Sequence, residues 1–308
     1  MTLLIDYQSH DFPAPYTFQS GTISTSWDEL LWAAITVGRP SYFHVFRHGR
    51  SSFHEAIFRL SLIRKAVQQD WNGYLRRTNA YVALDPTEKG AVSYFLGMTI
   101  CKLFAWRLLR TPWLLHIDVF RHVFLAITQG RSRPDLFGED ISGDWHAFES
   151  KGRSSVPTSA DKAKAKAQAQ RLVSVGGQNC TLQIGSFAFF RSGVLEFHWR
   201  DPEPDSLNVI ELPRPQAEWR YYFEPALSLA FEADAQPMAA DLELADVLVE
   251  IHPKLRQLLR DGQWAQAKQL ASELRFLLLG DGYNPDGIRV MAGDTWTKPY
   301  EIGEAGRS

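Results

Sequence analysis

Residues 134–151 read Pro134-Asp135-Leu136-Phe137-Gly138-Glu139-Asp140-Ile141-Ser142-Gly143-Asp144-Trp145-His146-Ala147-Phe148-Glu149-Ser150-Lys151. From Asp144 to Lys151 the chain alternates like a strand. Trp145, Ala147 and Glu149 share one face, and His146 and Phe148 the other. Glu149 and Lys151 therefore leave the strand on the same side. Asp135, separated from Glu149 by thirteen residues, lies in a second β-prone stretch, Asp135 to Phe137. If the two strands pair, the Asp135 carboxylate comes beside Glu149. Two carboxylates that close repel each other unless a cation lies between them. Carboxylate and water oxygens suit Mg²⁺, which holds them octahedrally at about 2.0–2.1 Å. A bound metal can acidify its water and neutralise charge building on a phosphodiester. The Lys151 ammonium can orient the water and offset transition-state charge.

The surrounding elements follow from their own signals. Asp85-Pro86-Thr87-Glu88 is a helix start, with Asp85 as N-cap, Pro86 at N1 and Glu88 at N3. That helix is expected to run to about Leu109, with Val92, Phe95, Leu96, Thr99, Leu103 and Trp106 inward, and Thr111-Pro112 ends it. Residues 113–120 are short and β-prone, with Asp118 on that strand. Residues 158–173 are Ala/Lys/Gln-rich and helical, with Thr158 or Ser159 as cap, and Gly176-Gly177 stops them. Thr181–Arg191 and Val194–Trp199, punctuated by Gly193, predict a hairpin.

The resulting order is helix, three strands, helix, strand, with Pro134-Asp135 and Glu149-Ser150-Lys151 set inside it. Residues 85–200 thereby resemble the PD-(D/E)XK, or restriction-endonuclease-like, nuclease superfamily. Its αβββαβ core carries an acid on the second strand and an E-x-K tripeptide on the third. The resemblance implies an α/β fold with a mixed central sheet, and a Mg²⁺-dependent endonuclease acting on DNA in phage defence or repair, with Mn²⁺ able to substitute. It implies Asp135, Glu149 and Lys151 as catalytic residues, with Asp135, Glu149 and the Ser150 carbonyl as metal ligands. Glu88 matches an acid many members carry on the first helix, and is equally the N3 half of a capping box. Lys162, Lys166 and Gln170 follow at i, i+4 and i+8 on the second helix. Either Gln170 or Gln168 matches a residue the family places near the scissile phosphate. Arg153, Lys162 and Lys166 are candidate nucleic-acid contacts. Many members dimerise, so a homodimer, or a partner protein supplying recognition or activation, fits the resemblance. The alternative is a catalytically silent relative that binds nucleic acid or a protein.

Charge is uneven along the chain. The 308 residues hold 33 basic and 35 acidic side chains, a net −2. Lys151 to Arg171 alone holds six basic residues and one acid, and Arg39 to Arg77 holds eight and two. The latter is either a solvated helical face or a polyanion-facing surface. Residues 232–281 carry nine acids against five bases. Phosphate binding near the proposed site would weaken steeply with salt.

The flanks read as a mainly helical region over 1–84, including helices at 26–38 and 51–70, and a C-terminal region over 201–308. There a Pro- and acid-rich linker over 200–217 precedes a helical hairpin, 241–260 and 263–279, turned at Asp261-Gly262; the last six residues look frayed. Composition excludes disorder, at 45% hydrophobic and 13% aromatic residues. Two isolated cysteines, Cys101 and Cys180, make neither a disulfide framework nor a zinc motif. With no signal-peptide pattern, a reducing cytoplasm is expected. Ala91 to Leu115, broken by charges and Pro112, reads as a core helix and strand rather than a membrane span. Gly-rich phosphate loops, G-x-S-x-G elbows and H-E-x-x-H pairs are absent from the sequence. His54, His116 and His146 are not spaced as zinc ligands.

Overall fold

A computed structural model describes residues 2–39, 51–124, 133–201, 209–234 and 245–298. In chain order its elements begin β1 (Leu3–His10), β2 (Gly21–Thr25), α1 (Trp27–Thr36), α2 (Ser51–Ala66), β3 (Val67–Gln69), β4 (Leu75–Arg77) and α3 (Asn79–Val82). Then follow α4 (Pro86–Leu109), β5 (Trp113–His116), α5 (Arg121–Phe124), β6 (Leu136–Glu139), β7 (Trp145–Arg153) and α6 (Ser159–Ala169). Next are β8 (Leu172–Val175), β9 (Gln178–Arg191), β10 (Val194–Arg200), β11 (Ile210–Leu212) and α7 (Arg220–Asp234). The chain closes on β12 (Val247–Ile251), α8 (Pro253–Arg260), α9 (Trp264–Gly280) and β13 (Ile288–Ala292).

The protein is α/β with a mixed central sheet, whose main path runs β2-β1-β10-β9-β7-β6-β5. β5, β6 and β7 form an antiparallel meander, β7 pairs β9 in parallel, and β10 returns antiparallel to β9. α4 covers one face, where Phe104 stacks on Phe197 at 4.1 Å. α6 covers the other, where Ala165 packs with Phe187 and Phe189. By length and composition α4 is apolar enough to cross a membrane, yet 78% of its most apolar window is buried inside the molecule.

α4 starts as the sequence indicates: Asp85 accepts from the Thr87 and Glu88 amides, and Glu88 reaches back to the Asp85 N–H at 3.2 Å. The hairpin β9–β10 turns on Ser192 and Gly193, both at positive φ. α4 crosses β7 where two glycines meet. A Cβ at Gly97 would fall 2.6 Å from the Gly152 nitrogen, and one at Gly152 would fall 1.6 Å from the Ser93 carbonyl oxygen. This backbone-to-backbone contact seats the Glu149–Lys151 segment on the helix.

Several expected boundaries move. The strand read over 113–120 ends at His116, and Asp118 sits in a 3-10 turn, Ile117–Phe120, rather than on the strand. The helix read over 158–173 stops at Ala169, and Leu172 and Val173 enter β8. The N-terminal region contains helices at 27–36 and 51–66 but also four strands. β1 lies parallel to β10 and extends the central sheet, so this part is no separate helical addition. The 200–217 stretch contains β11, paired in parallel with β8. The expected helix 241–260 holds a strand instead: Val247-Leu-Val-Glu-Ile251 alternates buried and exposed residues and pairs with β13. Within that stretch Pro253–Arg260 is helical, ahead of the Gly262 turn. Residues 202–208, 241–244 and 303–308, like Arg47 and Arg50, fall outside the described residues.

Buried polar groups tie the flanks to the core. Fully buried Asp286 accepts from Trp32 Nε1 at 2.7 Å and from the Tyr222 hydroxyl at 2.6 Å. That hydroxyl in turn accepts from Lys102 on α4 at 2.8 Å. Of the basic N-terminal stretch, Arg39 and Arg59 are internal. Both pair with Glu55, at 2.8 and 2.5 Å, so neither belongs to a solvated face or an exposed anion-binding surface.

Candidate active site

β6 begins immediately after Asp135. Its register with β7 ends at Leu136 opposite Phe148, so the next position sets Asp135 opposite Glu149. The Asp135 backbone is pinned on both sides. Its N–H donates to the Phe148 carbonyl and its own carbonyl accepts from the Ile117 N–H, both at 3.0 Å. Beyond Phe148 the β6 register ends, and the Ser150 N–H donates on that side to Asp135 Oδ2 at 3.0 Å. A strand residue sends its N–H and C=O to the same side, so the Ser150 carbonyl also faces the Asp135 side.

Glu149 is fully buried. The Lys151 ammonium abuts its Oε1 and stands 3.8 Å from Asp135 Oδ2, while Glu149 Oε2 has no hydrogen-bond partner among the described residues. Burial first, and the facing charge of Asp135 second, push the Glu149 carboxyl well above the usual range, against the pull of Lys151. Among the described residues no three His, Cys, Asp or Glu side chains form a metal-binding group. The site offers two carboxylates and a backbone carbonyl. An orphaned buried carboxylate oxygen beside a second carboxylate fits a small hard cation, because a cation would satisfy that oxygen and favour ionisation of both acids.

Three neighbours escaped the sequence reading. Arg133 grips Asp118 through two 2.6 Å hydrogen bonds. Tyr94, on α4, has its phenol pushed up by burial and by the charges of Asp135, Asp118 and Glu149, with Arg59 opposing, so it stays protonated. Cys101 lies buried beneath, its thiol raised to about 12 by burial. Tyr94 stands three residues before Gly97, but only the crossing of α4 on β7 gives that spacing meaning. His116 is buried and pushed down to about 4; its Nδ1 accepts from the Asp118 N–H at 3.1 Å. His146 is buried 3.6 Å from Asp140.

The secondary candidates sit elsewhere. Glu88 is exposed in its capping box. Gln168 is buried with Oε1 unpartnered among the described residues, and Gln170 is the C-cap of α6, its carbonyl accepting from Gln183 Nε2 at 3.2 Å. Arg153 pairs with Asp161 at 3.5 Å. Lys162 is lowered by burial and by the charges of Arg191 and Arg200, and the charge of Lys166 acts on Asp201. The structure thus gathers Asp135, Glu149, Ser150 and Lys151; contacts joining the secondary set to those carboxylates are not found among the described residues. Compared with protein-family models, curated proteins and solved structures, the chain matches none.

Proposed function

We propose that this chain is a metal-dependent phosphodiesterase of the PD-(D/E)XK kind, an endonuclease whose substrate is DNA. The observation that carries this reading is the convergence of Asp135, Glu149 and Lys151 from two neighbouring antiparallel strands. The ammonium lies against one carboxylate and 3.8 Å from the other. The succession α4, β5, β6, β7, α6 and β9, with the short α5 and β8 inserted and β8 off the main path of the sheet, and with α4 and α6 on opposite faces, adds to it.

Asp135, Glu149 and the Ser150 carbonyl would hold Mg²⁺. When bound, the metal supplies an acidified water and charge neutralisation at the phosphate. Lys151 Nζ, held on the same face, orients the attacking water and offsets charge on the phosphoryl oxygens. Arg153 and Lys166, with Lys162, supply sequence-independent phosphate attraction around α6.

The test is cleavage of plasmid and linear DNA by the full chain in Mg²⁺ or Mn²⁺ against a chelator. Wild type is expected to cut, and D135A, E149Q and K151A are not. Equal cleavage by all four proteins would remove the site assignment. One observation favours a second reading, a silent relative that binds nucleic acid: the Lys151 ammonium itself occupies the position between the two carboxylates. Metal-independent DNA binding without cleavage of DNA or RNA would support that reading.

A further inference from the structure

The register of the central sheet carries the row of Glu149 onward through Gly185 and Arg200 to His10, all on one face. The adjacent row carries Lys151 through Phe187 to His198. The β10 residues stand two strands from β7, about 10 Å away at ordinary strand spacing. α6 descends between them. A Cβ on Gly185 would come within 3.2 Å of the Lys166 backbone nitrogen, so the helix lies over the middle of the row.

On the far flank of α6, four basic groups from three elements meet. His198 is 3% exposed, neither of its ring nitrogens has a hydrogen-bond partner among the described residues, and its ring lies 4.9 Å from that of His10. Lys162 of α6 and Arg200 of β10, the latter opposite His10 in the register, act on His198 through their charges. Burial lowers His198 to about 3, and the charges of Lys162, His10 and Arg200 add to this; Lys162 is itself lowered by burial, Arg191 and Arg200. Asp11 pairs with Arg200 and Glu196 with Arg191. Lys162 and the two histidines have no carboxylate partner among the described residues. Packing like charges together around a polar ring with nothing to bond costs stability. An anion with several acceptor oxygens removes both penalties.

We propose that His10, Lys162, His198 and Arg200 form a phosphate-binding site on the far flank of α6, which takes a backbone phosphate of nucleic acid remote from the cleaved bond. This rests on the nuclease reading for the source of the phosphate, and it gives three residues the sequence did not single out a place beside Lys162.

The experiment uses the full chain carrying E149Q in chelator, so that neither cleavage nor metal enters. Inorganic phosphate is titrated while the imidazole signals of His10 and His198 are followed by NMR, with H10A for assignment. Binding of a short fluorescein-labelled DNA duplex is measured across a salt series for E149Q alone and with K162E or H10A added, after thermal melts establish folding. Phosphate is expected to move both histidine signals, K162E to abolish the movement, and DNA to compete. K162E and H10A should each weaken DNA binding about tenfold, and K162E should lower the salt slope by about one. Unmoved signals, or unchanged DNA affinity and salt slope in K162E, overturn the site. Phosphate binding that DNA does not compete overturns the nucleic-acid source. Mg²⁺-dependent cleavage by wild type together with unmoved signals removes this site and leaves the proposed activity. Histidine shifts that depend on Lys162, without any cleavage, remove the activity and leave the site.

Discussion

The Ser150 N–H donates to Oδ2 of Asp135 at 3.0 Å on the side of β7 that faces β6. One backbone group thereby fixes the orientation of a carboxylate on the neighbouring strand. The contribution of Ser150 is its backbone, so S150A should keep its stability within about 1 kcal/mol and retain cleavage, as judged by urea denaturation and the plasmid assay. S150P, which lacks the N–H, should lose cleavage. Activity in S150P would show that the Asp135 orientation does not matter.

Glu149 is a functional group held at a cost. Its carboxylate is buried, one oxygen lacks a partner among the described residues, and burial opposes its ionisation. Replacing it with the neutral amide removes that cost, while Lys151 keeps Asp135 within 3.8 Å. E149Q should therefore abolish cleavage while raising stability by about 1–2 kcal/mol at neutral pH in the absence of metal. A destabilised E149Q would mean that the Lys151–Glu149 pair is structural.

How much of this was legible depended on distance along the chain. Local signals were readable: the Asp85 capping box, the alternation up to Lys151, and the Ser192-Gly193 hairpin. Leu3-Leu-Ile-Asp-Tyr is just as β-prone and pairs with nearby β2, but what joins it to the central sheet is β10, far along the chain and parallel, and no local pattern names such a partner. Val247-Leu-Val-Glu-Ile251 alternates openly, but its neighbours Leu242, Leu244 and Ala245 also satisfy a helical spacing, and pairing with β13 decides the matter. Asp135 and Glu149 were legible because a strand's period of two fixes their faces. Tyr94, His10 and His198 were not, because their importance arises only where elements cross.

Gly152 tests the seating of the site. A methyl group there would lie 1.6 Å from the Ser93 carbonyl oxygen, backbone against backbone, so α4 or β7 must move. G152A should cost about 3 kcal/mol and reduce cleavage beyond any loss of folded protein, because Lys151 moves with the strand. Wild-type turnover per folded molecule in G152A would show that the α4–β7 contact does not set the geometry of the site.

Glu55 neutralises two buried guanidiniums. Arg39 is fully buried and lowered to about 10, by burial first and then by the neighbouring Arg59. E55A leaves both cations facing each other without an anion and should cost about 3–5 kcal/mol. E55Q keeps an acceptor and should cost less. Equal, small losses in both variants, measured by chemical denaturation, would mean that the carbonyls of Ile35 and Val37, which already accept from these arginines, suffice.

Asp201 gives the protein a pH dependence of predictable sign. Burial lifts its carboxyl from 3.8 to about 6, although the Gln183 N–H donates to it at 2.7 Å and His146 and Lys166 favour its charge. Between those two values the folded protein holds a proton that the unfolded chain has released. Stability therefore falls as pH rises through this window, and the full deficit persists above pH 6. An asparagine at this position is neutral at every pH and keeps the oxygen that accepts from Gln183. With solvent screening allowed for, D201N should exceed wild type by about 1–2 kcal/mol at pH 7 and match it below pH 4. Urea denaturation at intervals from pH 4 to pH 8 measures the difference between the two proteins. Parallel curves across that range would show that Asp201 is ionised in the folded protein as readily as in the unfolded chain.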